Sequence, residues 1–184
     1  WRAMLYKARV RQAMQLGDLE AFDRFSQILV EVGTEMAHMP TLAFALESQV
    51  TVSFERGLWS DMVRHAESRL ALEPGEPSRD ALALRQWALA MRHFYQGQIR
   101  EAFDALGEGA PSVHERPRPA IWVRLAEAKV HFLITLGWTK QGHVALTELR
   151  EATGQAGEAS HTLMADLYAA LLAGQAGLPE VWLE

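Results

Sequence analysis

The chain has 184 residues, 49% of them hydrophobic and 22% charged, with a net charge of −5 and no cysteine. That balance belongs to a folded chain rather than a disordered one, and the lack of thiols excludes disulfides, thiolate metal sites and cysteine nucleophiles. An acidic total argues against direct nucleic-acid binding, and the longest uncharged run, residues 167–179, falls short of the ~20 residues a membrane-spanning helix needs.

Residues 1–16 carry Ala3, Tyr6, Val10, Ala13 and Met14 at helical spacing, which predicts a first helix. Arg2, Lys7, Arg9 and Arg11 are scattered through it, unlike the apolar centre of a signal peptide, so the expected compartment is the cytoplasm. An opening on Trp1 rather than Met is expected of a piece of a longer protein. Gly17 suits a sharp turn and Asp18 can cap the next helix. That helix is expected over 19–32, burying Leu19, Phe22, Phe25, Ile28, Leu29 and Val32, with Gly33 as its stop.

Pro40 predicts the start of a helix over 41–56 with Leu42, Ala43, Leu46, Val50 and Phe54 inward. After Gly57, Ser60 is expected to cap a helix carrying Trp59, Met62, Val63, Ala66 and Leu70, ended by Pro74-Gly75. Pro77-Ser78 opens a helix to Gln96 that contains Ala83, Leu84, Trp87, Ala90, Met91 and Phe94. A shorter helix follows Gly97, with Ile99, Ala102, Phe103 and Leu106, and its glycines and prolines make 107–119 a loop. Further helices are expected over about 120–136 (Ile121, Trp122, Leu125, Val130, Leu133, Ile134), 139–153 (Val144, Ala145, Leu146, Leu149) and 158–174.

Gly17, Gly57, Gly97, Gly137 and Gly177 lie 40 residues apart, and apolar columns keep the same period. Val10, Val50, Ala90, Val130 and Ala170 form one; Ala3, Ala43, Ala83, Val123 and Leu163 another; Met14, Phe54, Phe94 and Ile134 a third. A fixed period of this length marks a repeat array, and no stretch alternates at period two, which excludes β-propeller blades. The expected fold is all-α: a right-handed superhelix, or solenoid, of antiparallel helix hairpins, with about four and a half repeats in one domain. Its units are placed at about 1–37, 38–76, 77–116, 117–156 and 157–184.

Gly57-Leu58-Trp59, Ala66 and Pro74 together resemble the tetratricopeptide pattern, and Gly17-Asp18-Leu19 and Gly97-Gln98-Ile99 with Ala102 resemble its turn. Units of 40 residues are similar to the superhelical repeats of large ATP-dependent, LuxR-type bacterial regulators of the maltose-activator class. The resemblance implies a sensing and interaction segment between an ATPase and a DNA-binding module. Gly142 stands where that pattern has alanine, and only the second unit has the closing proline.

Catalytic motifs are missing. None of His38, His65, His93, His114, His131, His143 and His161 belongs to a His-Glu-x-x-His pair, and His65 and Glu67 point apart on a helix. With no phosphate-binding loop, the expectation is a non-enzymatic chain with no cofactor and no metal. Gly154 and Gly157 read as a helix connection, and Arg116-Pro117-Arg118-Pro119 as either a docking strand or a solvated linker.

The first helices of stacked hairpins line a concave side, where two columns vary instead of staying apolar. They are Lys7, Glu47, Trp87, Glu127 and Leu167, then Arg11, Thr51, Met91, His131 and Leu171. Beside them run Met4, Phe44, Leu84 and Arg124, then Gln15, Glu55 and Tyr95. The expected site for a protein or peptide partner is Lys7, Arg11, Phe44, Glu47, Thr51, Trp87, Met91, Tyr95, Arg124, Glu127 and His131. The plain alternative makes Leu84, Trp87 and Met91 core. A second reading encloses a small-molecule effector near Trp87, Tyr95, Arg124 and His131. A third is a spacer, or self-association through Leu171, Leu172, Val181 and Trp182.

Overall fold

The computed structural model describes residues 1–73, 75–109, 119–156 and 159–177. Among the described residues there are helices and no strand: α1 (Arg2–Leu16), α2 (Leu19–Glu35), α3 (Met39–Glu55), α4 (Trp59–Leu70), α5 (Arg79–Tyr95), α6 (Ile99–Gly109), α7 (Pro119–Thr135), α8 (Thr139–Ala156) and α9 (Ala159–Gly177). The protein is all-α.

Four of the spaced glycines make the same turn. Gly17, Gly57, Gly97 and Gly137 have φ of 67°, 67°, 75° and 71°, left-handed values that a side chain would strain. The amide of the residue after each glycine closes the turn. Asp18, Leu58, Gln98 and Trp138 donate to the carbonyls of Ala13, Ser53, His93 and Leu133 at 3.0, 2.8, 2.9 and 2.8 Å. Each bond occupies a carbonyl that the end of a helix would leave open. Asp18 also caps α2, its Oδ1 accepting from the Ala21 N–H at 2.9 Å. The starts of α3, α5, α7 and α9 fall at residues 39, 79, 119 and 159, so each interval (79−39, 119−79, 159−119) is 40.

Several expectations are corrected. Gly33 does not stop α2; it is buried inside that helix, where a Cβ would lie 2.9 Å from the Leu42 backbone nitrogen. Its role is to let α2 approach α3. Ser60 is not a cap: Leu58 occupies that position without a side-chain bond, and α4 ends at Leu70, before Pro74-Gly75. The helix α6 runs on through Gly109, inside the expected loop, while Arg116, Pro117 and Arg118 lie outside the described residues. Gly177, expected in a turn after a last helix over about 158–174, is instead the final residue of α9. Met14, Val144 and Leu163, expected to be inward, are exposed.

The chain divides into two compact units, Trp1–Arg92 and His93–Glu184. In the first, α2 packs on α1 and α3, and α4 on α3, around Val10, Phe22, Leu29, Ala45 and Val52. In the second, α8 packs on α7 and α9 around Trp122, Val130, Leu146, Leu149 and Leu172. There the rings of Phe94 and Phe132 stack at 3.9 Å, and Phe103 lies edge-on to Phe132 at 6.0 Å. Gly142 admits Leu172, whose Cδ2 would lie 2.8 Å from an added Cβ.

The two buried helical glycines give a contrast. Gly33→Ala presses a methyl group against backbone and should cost roughly 1–3 kcal/mol. Gly142→Ala meets only the tip of a flexible leucine, and the ~1 kcal/mol helix-propensity gain of alanine offsets that contact. Urea denaturation of both variants checks the difference; equal midpoints would contradict the close approach at Gly33.

Candidate functional site

The eleven expected site residues fall in both compact units, seven (Trp87 and Met91 among them) in the first and four in the second. On the first unit, Phe44 of α3 lies under two cations of α1, with Lys7 Nζ 5.6 Å and the Arg11 guanidinium carbon 5.7 Å from its ring centroid. The spacing of four places both cations on one face of α1.

Glu47 and Thr51 follow on α3 but serve the fold. The Thr51 hydroxyl donates to the Glu47 carbonyl at 3.2 Å, one turn back. The Glu47 carboxylate accepts from Arg69 Nε at 3.2 Å, and Arg69 Nη1 donates to Glu73 at 2.7 Å. Glu73 in turn accepts from the Ser78 amide and hydroxyl just before α5. Burial alone would raise the Glu73 pKa, but the bonds from Ser78 and Arg69 outweigh it and hold the carboxyl below its usual value. With Arg69 only 8% exposed, this chain of ion pairs is a strut tying α3, α4 and the start of α5.

Trp87 and Met91 are corrected outright. Both are 3% exposed, as is Leu84, and Trp87 packs against Phe54 with centroids 5.1 Å apart. They are core, because at those two turns of α5 the face that varies in the other units is covered.

The remaining expected residues belong to the second unit. Tyr95, 49% exposed at the end of α5, bonds through its hydroxyl to Nε2 of His131 on α7 at 3.1 Å. Half-buried Arg124 and Glu127 stand on the same helix. On α9, which packs on α7, Leu167 and Leu171 are exposed at 49% and 46%, with Tyr168 half-buried beside them. Burial lowers the His131 pKa, keeping the ring neutral near pH 7. Burial, with Glu127 and Tyr95 adding to it, pushes the Tyr168 hydroxyl up to about 12, so it remains a donor. Of the residues expected to self-associate, Leu172 is fully buried against Gly142, and Val181 and Trp182 lie outside the described residues.

Sequence reasoning missed a polar cleft on the first unit. It has a volume of about 270 Å³ and is lined by α2, α3 and α4, with Asp23, Gln49, Arg56, Asp61, Arg64 and His65 among its walls. Asp23 is its hub: it accepts from Gln27 at 2.9 Å and Gln49 at 3.2 Å and pairs with Arg56. Arg64 pairs with Asp61 at 2.7 Å. Burial and then Arg64 lower the His65 pKa against the opposing pull of Asp61 and Asp23. These residues span more than 40 positions of sequence with no motif spacing, and only the packing of three helices gathers them. Among the described residues no group of three His, Asp or Glu side chains could hold a metal ion, and no helix is long and apolar enough to cross a membrane.

No family model, curated protein or solved structure matches the chain. The functional reading therefore rests on these surfaces alone.

Two predictions follow from the buried charges and rings. Arg69→Ala should cost about 2 kcal/mol in chemical denaturation, below the range for a fully buried pair because its partners are partly hydrated. Arg69→Lys should restore little, since one ammonium cannot span both carboxylates as the guanidinium fork does. His65 and His131 have folded pKa values below the ordinary 6.5, so the unfolded chain takes up protons first. Stability should be intact above that pH and fall as the pH drops through it. Melting temperatures from pH 7.5 to 5.5 (about one unit either side) check this, and His65→Gln with His131→Gln should flatten the decline.

Proposed function

We propose that this chain is a non-enzymatic protein-interaction module that holds a peptide or partner helix against the first-helix side of its second unit. The architecture that serves this reading is a right-handed superhelix of helix hairpins, about four and a half repeats in a single repeat domain. Its support is the recurrence of the left-handed glycine turn and of the helix starts every 40 residues.

The observations that carry the binding surface are the exposed Tyr95, bonded to the neutral ring of His131 on α7, and the exposed Leu167 and Leu171 of α9, which packs on α7. Leu167 and Leu171 are one turn apart on α9, at positions 40 beyond Glu127 and His131 on α7. Apolar side chains and a tyrosine with an ionisable rim are the composition of a protein-binding centre.

The tetratricopeptide-like turns around Gly17, Gly57 and Gly97 extend the reading to a regulatory segment of a cytoplasmic bacterial protein, with a LuxR-type regulator as the resembled class. The alternative is a small-molecule effector enclosed near Trp87, Tyr95, Arg124 and His131.

A photo-crosslinking amino acid placed at 171 should capture a discrete protein from cells expressing the full-length protein. The same group at Val144, exposed on α8 at 74%, should not. Tyr95→Ala with Leu171→Glu should weaken that capture by roughly tenfold or more, the loss expected of a binding centre. Equal labelling at both positions, or capture indifferent to the substitutions, would refute the reading.

A further inference from the structure

Three helices of the first unit each turn one polar face toward the cleft. Asp23 and Gln27 are a turn apart on α2, and Gln49, Ser53 and Arg56 follow one another a turn apart along α3 to its end. On α4 the contributors are Asp61, Arg64 and His65, three and one residues apart. Such spacings keep the side chains on one side of a helix. Part of this set is complete in itself: Asp23 holds Gln27, Gln49 and Arg56, and Gln49 is 7% exposed. The rest is not.

The other buried serines of this unit turn their hydroxyls back onto the helix. Ser26 donates to the Phe22 carbonyl at 2.7 Å and Ser48 to the Phe44 carbonyl at 2.8 Å. Ser53 is 3% exposed, yet among the described residues its hydroxyl has no hydrogen-bond partner, and it lines the cleft. The ring nitrogens of half-buried His65, on the facing helix α4, have none either. A buried hydroxyl that bonds to nothing lowers stability, so one held beside open space calls for a partner from outside the chain.

We infer that this cleft binds a free α-amino acid. Its volume of about 270 Å³ lies below the roughly 300–1,000 Å³ of sites for drug-sized molecules, which restricts the occupant to a small metabolite. The charged walls sum to zero (Arg56 and Arg64 against Asp23 and Asp61), which matches a zwitterion and leaves an ion of either sign uncompensated. An α-amino acid carries its carboxylate and ammonium on a single carbon, so it needs a donor and an acceptor side by side. Arg64 and Asp61, paired at 2.7 Å, are such a couple. A guanidinium has about five N–H donors and a carboxylate about four acceptor sites, so both have capacity left after their mutual bond. In this arrangement Arg64 and Arg56 receive the carboxylate, and Asp61, Ser53 and His65 the ammonium. Val52 and Leu58 supply an apolar wall for the side chain. The cleft belongs to the first compact unit and the surface at Tyr95 and Leu171 to the second, so either reading can fail without the other.

The probes are the standard L-amino acids, each titrated into the isotope-labelled chain to about 10 mM, enough to saturate a millimolar site. At least one should shift the backbone amides of Ser53, Asp61 and His65 saturably. Its N-acetyl derivative and its amide should each bind about tenfold more weakly or worse, since each lacks one of the two charges. Arg64→Ala should weaken binding by about tenfold or more with little change in melting temperature, because its ion pair is exposed. Ser53→Ala should weaken binding about threefold or more and leave the melting temperature unchanged or higher, which a hydroxyl that serves the fold would not do. No saturable shift from any amino acid, or shifts centred elsewhere, would overturn the proposal. So would an N-acetyl derivative or amide that binds as well as the free amino acid, full affinity in Arg64→Ala, or a Ser53→Ala chain that melts lower and binds unchanged.

Discussion

The structure depends on a backbone constraint at the end of a helix. An α-helix leaves its last carbonyls without partners, and a chain that must reverse within two residues has few ways to satisfy them. A left-handed residue after the last turn aims the next amide back at the carbonyl five residues earlier, a bond made at Ala13, Ser53, His93 and Leu133. Only glycine adopts that φ freely. Once the reversal is set, the following helix has little choice but to lie against the preceding one, and its apolar positions are chosen by that contact.

Side chains without a Cβ matter a second time, where helices approach side by side. Gly33 lets α2 sit against the backbone of α3 at Leu42, and Gly142 lets α8 receive Leu172 of α9. Both are mid-helix, where glycine costs about 1 kcal/mol of propensity, and close packing offsets the cost. The polar groups are spent similarly. Arg69 with Glu47 and Glu73 ties α3, α4 and the approach to α5, and Asp23 with Gln27, Gln49 and Arg56 ties α2 to α3. Charges that would look like a binding groove in a linear reading are struts once folded.

This explains why the candidate site was legible only in part. Tyr95 and His131 lie on two variable columns and are joined by a hydrogen bond no spacing rule could foresee. Trp87 and Met91 also lie on variable columns, Met91 on that of His131, yet they are core, because the column argument assumes that equivalent helices have equivalent neighbours. The cleft at Asp23 and His65 had no sequence signal at all.

By itself the sequence determined the helical content, the positions of the four left-handed turns and most helix bounds to within a few residues. Those follow from local physics: a 3.6-residue period, the freedom of glycine and the fixed φ of proline act over a few neighbouring residues. It also determined which residues are apolar, but not which of them are covered. That Gly33 continues a helix, that Met14 and Val144 point outward, and that Glu47 faces Arg69 were decided by tertiary packing. The reason is that burial belongs to a pair of surfaces, and a sequence read one helix at a time contains only one of them.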